Sequence, residues 1–179
     1  MTSSVTARIT FEEFERLPDQ PGKLELLRGE VIELPPAKLK HADIVHRVYE
    51  RLSILLAEAR ARGRAGALGA VYMETGYRMG DRSCLQPDVS ITHSDQQAGD
   101  YYLGSPALVV EVISDDKTAD HVDGKIEEYS RNGALEIWVL YPVRKHVWVY
   151  TSGAAEVRSG EFRTELLGGG TIDLDEILK

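Results

Sequence analysis

Glu111 stands inside an apolar run, Leu108-Val109-Val110-Glu111-Val112-Ile113, whose length and β-branched content predict a strand covered on both faces. A carboxylate there loses its hydration. A fold retains it only with compensation: a cation, a metal ion, or a proton held by a raised pKa. A helix predicted over about 120–132 offers a cation. Val122, Ile126 and Tyr129 recur at i, i+4 and i+7 and mark its core face, and Lys125 falls on the same stripe. Two readings meet that spacing: Lys125 pairs with Glu111, or its stem lies along the core edge while its ammonium reaches water.

Asp88 and His41 complete the set of polar residues on faces expected to be apolar. Asp88 follows Pro87 and leads Val89-Ser90-Ile91. Alternation places Leu85, Val89 and Ile91 on one strand face and Gln86, Asp88, Ser90 and Thr92 on the other. An aspartate beside a proline at a strand start is equally ordinary turn chemistry. His41 precedes Val45 by four residues and Val48 by seven, which puts it on the core face of a long helix at its N-terminal end. That end favours anions, so the histidine suits a phosphate better than a metal; a structural histidine near the cap fits the spacing as well. His46 is turned away from His41, so no two-histidine metal motif exists there.

The elements that must position these residues follow from the pattern. Thr10-Phe11-Glu12-Glu13 is a capping box opening a short helix before Pro18. Lys23 to Leu34 predicts a β-hairpin, stopped by Pro35-Pro36. The long helix runs from about Leu39 to Arg62, with Val45, Val48, Leu52, Leu55, Leu56 and Ala59 as its stripe. Residues 61–70 form a turn. Strands are expected at about 68–78, 85–92 and 107–113. After the second helix, which stops at Asn132-Gly133, come strands at 135–141 and 146–151 joined at Pro142-Val143-Arg144. Weaker strands lie near 154–158 and 162–167, and 173–179 forms a helical turn. This order predicts an α/β (α+β) mixed sheet flanked by helices.

Composition narrows the function classes. The 179 residues fit one domain with a real core. No run of 18 apolar residues predicts a membrane span, and the start of the chain lacks a secretion-signal pattern. Cys84 is the only cysteine, which excludes an internal disulfide and a thiolate zinc site and points to a reducing cytoplasm. A formal net charge of −8 argues against a protein that grips DNA by field strength alone. The Gly63, Gly66 and Gly69 segment lacks the Lys-Ser/Thr of a phosphate loop, no Gly-x-Ser-x-Gly elbow is present, and Asp115, Asp116, Asp120 and Asp123 lack calcium-loop spacing. Trp138 and Trp148 alternate with apolar neighbours and are expected in the core or on a sheet face.

Taken in order, Pro87-Asp88, Leu108-Val-Val-Glu111-Val-Ile-Ser114, Lys125 with Tyr129, Gly133, and Glu136-Ile-Trp138-Val-Leu-Tyr-Pro142 resemble the Uma-two family of restriction-endonuclease-like proteins, in the PD-(D/E)xK nuclease superfamily. Glu25-Leu-Leu-Arg-Gly29-Glu30 and His41 fit its N-terminal pattern. The likeness runs from about Lys23 to Thr151. It implies a restriction-endonuclease-like core at about 23–151 within one domain spanning 1–179, with an N-terminal β-hairpin. Asp88 and Glu111 correspond to the two superfamily carboxylates. Ile113 stands where the usual lysine would be, and Lys125 from the following helix matches the family's replacement. Three departures stand out: His121 in place of an aspartate, Ser114-Asp115-Asp116-Lys117 in place of Ser-Pro-Ser-Thr, and Leu140-Tyr141-Pro142 in place of Val-Asp-Pro. Lys117 thereby becomes a rival cation.

What the resemblance implies is a metal-dependent endonuclease acting on DNA. Asp88 and Glu111 would bind Mg²⁺, or Mn²⁺ in its place, with the Val112 carbonyl and waters. Lys125 would assist the attacking water or the transition state, and His41 would contact phosphate or a second metal-bound water. A homodimer is compatible with the strand edges. The alternative is a non-catalytic nucleic-acid or protein binding module on a nuclease scaffold.

Overall fold

The structure, a computed structural model, describes residues 8–18, 22–113 and 119–179. Helix α1 (Phe11–Phe14) starts at the expected capping box, where the Thr10 side chain accepts from the Glu13 N–H and Glu13 returns the bond to the Thr10 backbone. The hairpin follows as β1 (Lys23–Leu27) and β2 (Glu30–Leu34). Its two-residue turn places Arg28 at φ 52° and Gly29 at φ 84°, the double left-handed conformation that matches the twist of paired strands. Helix α2 (Leu39–Ala61) buries its predicted stripe together with Ile44.

Two large sheets carry the rest. The six-stranded sheet has the order β11-β10-β9-β8-β6-β3, from β3 (Leu68–Met73), β6 (Val89–His93), β8 (Leu108–Val112), β9 (Glu136–Tyr141), β10 (His146–Thr151) and β11 (Ala154–Ser159). Within it β8 and β9 run parallel, linked by helix α3 (Ala119–Arg131), and the other pairs are antiparallel. The five-stranded sheet, β2-β1-β5-β4-β7, joins the hairpin to β4 (Tyr77–Arg78), β5 (Cys84–Leu85) and β7 (Tyr102–Leu103). A small pair, β12 (Glu161–Thr164) with β13 (Gly170–Asp173), and helix α4 (Leu174–Ile177) close the chain against α2.

Side chains alternate across the six-stranded sheet. Leu108, Val110, Val112, Trp138 and Leu140 face α2 and form the larger core, whereas Val109, Ile137 and Val139 face α3 with Leu27 and Tyr129. Glu111 shares the parity of Val109 and so lies on the α3 face.

The mixed sheet, flanking helices and hairpin agree with the sequence reading, and several boundaries do not. The expected strand 68–78 is β3 and β4, which belong to different sheets. The expected strand 85–92 is β5 and β6, broken at Gln86-Pro87-Asp88, where proline removes a ladder donor. Leu85 consequently does not share a face with Val89 and Ile91: it packs with the α3-side core and they pack with the α2-side core. The strand read at 162–167 ends at Thr164 and continues as a 3₁₀ turn, and β7 and β13 were not anticipated. Ser114 to Lys117, including the rival cation, lie outside the described residues.

Candidate active site

Asp88 and Glu111 arrive on one face through sheet register. Val89 pairs with Val110, so Asp88, one residue outward, stands opposite Glu111. Pro87 ends the preceding strand and leaves the Asp88 carboxylate beside the end of β8. There its Oδ2 accepts the Val112 N–H at 2.6 Å. His41, at the start of α2, comes to 3.3 Å from Asp88 Oδ1 through Nε2, while its buried Nδ1 makes no hydrogen bond.

Lys125 is buried, with 7% of its surface exposed, so the snorkelling alternative fails. Its Nζ lies 2.5 Å from Glu111 Oε1, and the same oxygen accepts from the Tyr129 hydroxyl at 3.0 Å. One turn of α3 therefore delivers both groups to Glu111, as the i, i+4 relation of Lys125 and Tyr129 requires. Burial alone would push the Lys125 ammonium pKa down. Glu111 and Glu25 outweigh it, and Lys125 is held protonated above its ordinary range. Burial, and then Glu111, also push the Tyr129 hydroxyl up, so it stays a donor.

Glu25 is the member that sequence reasoning left without a role. It is 1% exposed, and its Oε1 accepts the Gln86 N–H at 2.8 Å. Lys125 Nζ lies 3.1 Å from both Glu25 oxygens; the contact with Oε2 is an ion pair without hydrogen-bond geometry. The signal was available. Glu25 alternates with Leu24 and Leu26 and shares a face with Leu27, the same anomaly as Glu111. Glu30, the other hairpin glutamate in the family-like pattern, is exposed, and His46 points to solvent beside Glu50.

These groups open on a cavity of about 650 Å³ lined by Lys23, Glu25, His41, Asp88, Glu111 and Lys125, with His121 on its wall. Among the described residues the Glu25 and Glu111 carboxylates meet Lys125, and Asp88 meets His41. Among the described residues no three His, Cys, Asp or Glu side chains gather closely enough to hold a metal by themselves. Mg²⁺ does not require that, since it takes one or two carboxylates and keeps several waters. Asp88 and Glu111 with the Val112 carbonyl are oxygen donors suited to a hydrated hard cation, and Glu25 Oε2 lies buried in the same cavity without a hydrogen bond. Among the described residues no helix is long and apolar enough to cross a membrane.

Comparison with known proteins gives the same frame. A crystal structure of "a putative nuclease belonging to DUF820" from Anabaena variabilis superposes with a TM-score of 0.79, covering 95% of this chain and 97% of that one at 19% identity. At that identity the likeness establishes the shared mixed α+β fold. No curated protein matches the chain. The family model described as "Putative restriction endonuclease" matches residues 11–179, the same family that the residue pattern resembles, and the chain belongs to this Uma2 family.

Proposed function

We propose that this protein is a metal-dependent endonuclease that hydrolyses phosphodiester bonds in DNA. The reading rests on one observation: His41 from α2, Asp88 from the segment between β5 and β6, Glu111 from β8 and Lys125 from α3 line one cavity at the end of the central strands. Asp88 and Glu111, with the Val112 carbonyl, would hold Mg²⁺ or Mn²⁺. The bound ion would polarise the phosphate and lower the pKa of an attacking water.

The chain's own residues divide the remaining work. Glu111 and Glu25 outweigh burial and favour the charged form of Lys125, which suits it to act as a cation. It would orient the nucleophile or neutralise charge gathering on the phosphoryl oxygens in the transition state. His41 Nε2 and the Val112 N–H fix the two Asp88 oxygens, which orients that carboxylate toward the cavity. With Nε2 committed to Asp88, the contribution of His41 to phosphate would pass through Asp88 and not through direct contact. Tyr129 limits the rotation of Glu111.

The test is cleavage of plasmid and of single-stranded DNA with Mg²⁺ or Mn²⁺. Asp88→Ala and Glu111→Ala should each lower the rate by about 10²–10³-fold or more, the scale of losing one preorganised charged group. Equal rates in wild type and both variants would refute the assignment. One observation favours the binding-module alternative: Lys125 already compensates Glu111 without a metal. Calorimetry separates the two, because a scaffold would take up no Mg²⁺ or Mn²⁺ at millimolar concentration.

A further inference from the structure

We infer that Glu25 is a positioning residue: it holds the Lys125 ammonium in place when Glu111 turns to the metal ion. The inference rests on the nuclease reading above. Lys125 Nζ sits between two carboxylates, 2.5 Å from Glu111 Oε1 and 3.1 Å from each Glu25 oxygen. Glu111 cannot give its charge fully to an ammonium and to a divalent ion together, and those two cations repel each other at such range. A lysine paired with Glu111 alone would compete with the metal. A lysine with a second carboxylate can release Glu111 and stay buried without becoming an unpaired charge.

Glu25 is placed for that task by a different part of the fold. It belongs to the hairpin, and its Oε1 is committed to the Gln86 N–H. Gln86 also accepts from Lys23 Nζ at 2.8 Å through its carbonyl. Those two bonds tie the hairpin to the residue just before Pro87-Asp88, so Glu25 keeps a fixed relation to the Asp88 side of the site. On the other side, Arg28 at the hairpin turn reaches Glu127 at 2.9 Å and Glu128 at 3.0 Å on α3. Helix α3 also seats closely on β1 next to Lys125: a Cβ on Gly124 would come within 3.1 Å of Leu27 Cδ2. The carboxylate is thus held against both the aspartate segment and the lysine helix, whereas Glu111 belongs to the central sheet.

The experiment has two readouts on the full-length protein. The first is the side-chain ¹⁵N–¹H signal of the Lys125 ammonium at saturating Mg²⁺, where Glu111 is engaged by the ion and pairing with Glu25 should protect the ammonium from exchange with water. The second is the affinity for Mn²⁺ alone, by calorimetry, for wild type, Glu25→Gln, Lys125→Met and the double variant. The positioning role predicts that Glu25→Gln loses the protected signal and weakens Mn²⁺ about tenfold. In the Lys125→Met background the same substitution should change affinity less than about twofold. An equal loss in both backgrounds would make Glu25 a metal ligand and overturn the inference, as would a retained signal with unchanged affinity. If Glu25→Gln does not fold, Glu25→Asp, which keeps the charge but withdraws it by one methylene, is read by the same criteria. If wild type binds no Mn²⁺, the nuclease reading fails. The positioning role falls with it in that case, whereas wild type binding Mn²⁺ with Glu25→Gln unchanged in both readouts refutes the positioning role and leaves the nuclease reading standing.

Discussion

Each face of the six-stranded sheet buries one glutamate, and the fold treats them in opposite ways. On the α2 face Glu136 sits beside Trp138 and accepts from the Trp138 indole N–H at 2.5 Å and from the Thr164 hydroxyl at 3.3 Å. Neutral donors satisfy it, and burial pushes its carboxyl pKa up, with those hydrogen bonds acting in the other direction. On the α3 face Glu111 meets an ammonium, a phenol and a cavity. The first arrangement completes a core. The second keeps a charge, and its partners can be rearranged. A buried carboxylate is therefore weak as a marker of function by itself; a buried carboxylate with a buried cation beside an opening is a much stronger one.

The comparison breaks most visibly at Lys125. Lys125→Ala removes the ammonium that Glu111 and Glu25 share and should cost about 3–5 kcal/mol of stability, the usual penalty for breaking a buried pair. Neutralising the whole cluster with Glu25→Gln, Glu111→Gln and Lys125→Met should recover most of that loss while cleavage stays absent. Urea denaturation measures both, and a triple variant no more stable than Lys125→Ala would mean that packing, not charge, sets the cost. On the opposite face Leu52→Ala opens a cavity in a fully buried position of α2 and should cost about 2–5 kcal/mol. No combination of neutral polar substitutions there should restore it.

Cys84 tests the reach of the charged face. Burial first, and then Glu25, push its thiol pKa up to about 12. Its reaction with a thiol reagent at pH 8 should be slower in the native protein than in urea by about 100-fold or more. A native rate near that of the unfolded chain would contradict this burial.

The smallest effect is expected at Glu136. Its folded pKa lies above the unfolded value, so its contribution is fully present below the unfolded pKa and is lost as pH rises through the folded one. Glu136→Gln, which can still accept both hydrogen bonds, should therefore gain stability relative to wild type as pH rises above the unfolded carboxyl pKa. A pH-independent difference in urea midpoints would remove burial as the cause.

Much of this was legible in the residues. The helix-period stripe of α2, the hairpin and the strand that carries Glu111 follow from periodicity, because burial imposes a repeat on the sequence. Lys125 was legible for the same reason, being polar on an otherwise apolar stripe. The split at Gln86-Pro87-Asp88 was not resolved, since two-residue strands such as β5 carry no repeat and alternation continues through a break. Glu25 was recognised as part of a family-like pattern, yet its partner depends on how the second sheet lies against α3. That docking is tertiary, and no local spacing encodes it.

The turn of the hairpin has a consequence in the order of assembly. Arg28 pairs with Glu128 across 100 residues of chain, the same separation that divides Glu25 from Lys125. Contacts of that span close late, after local structure has formed. The carboxylates are synthesised first and the ammonium that neutralises them last. A chain stalled before α3 would carry the acidic half of the centre without its cation, so the ability to cut would appear only when the fold is nearly complete.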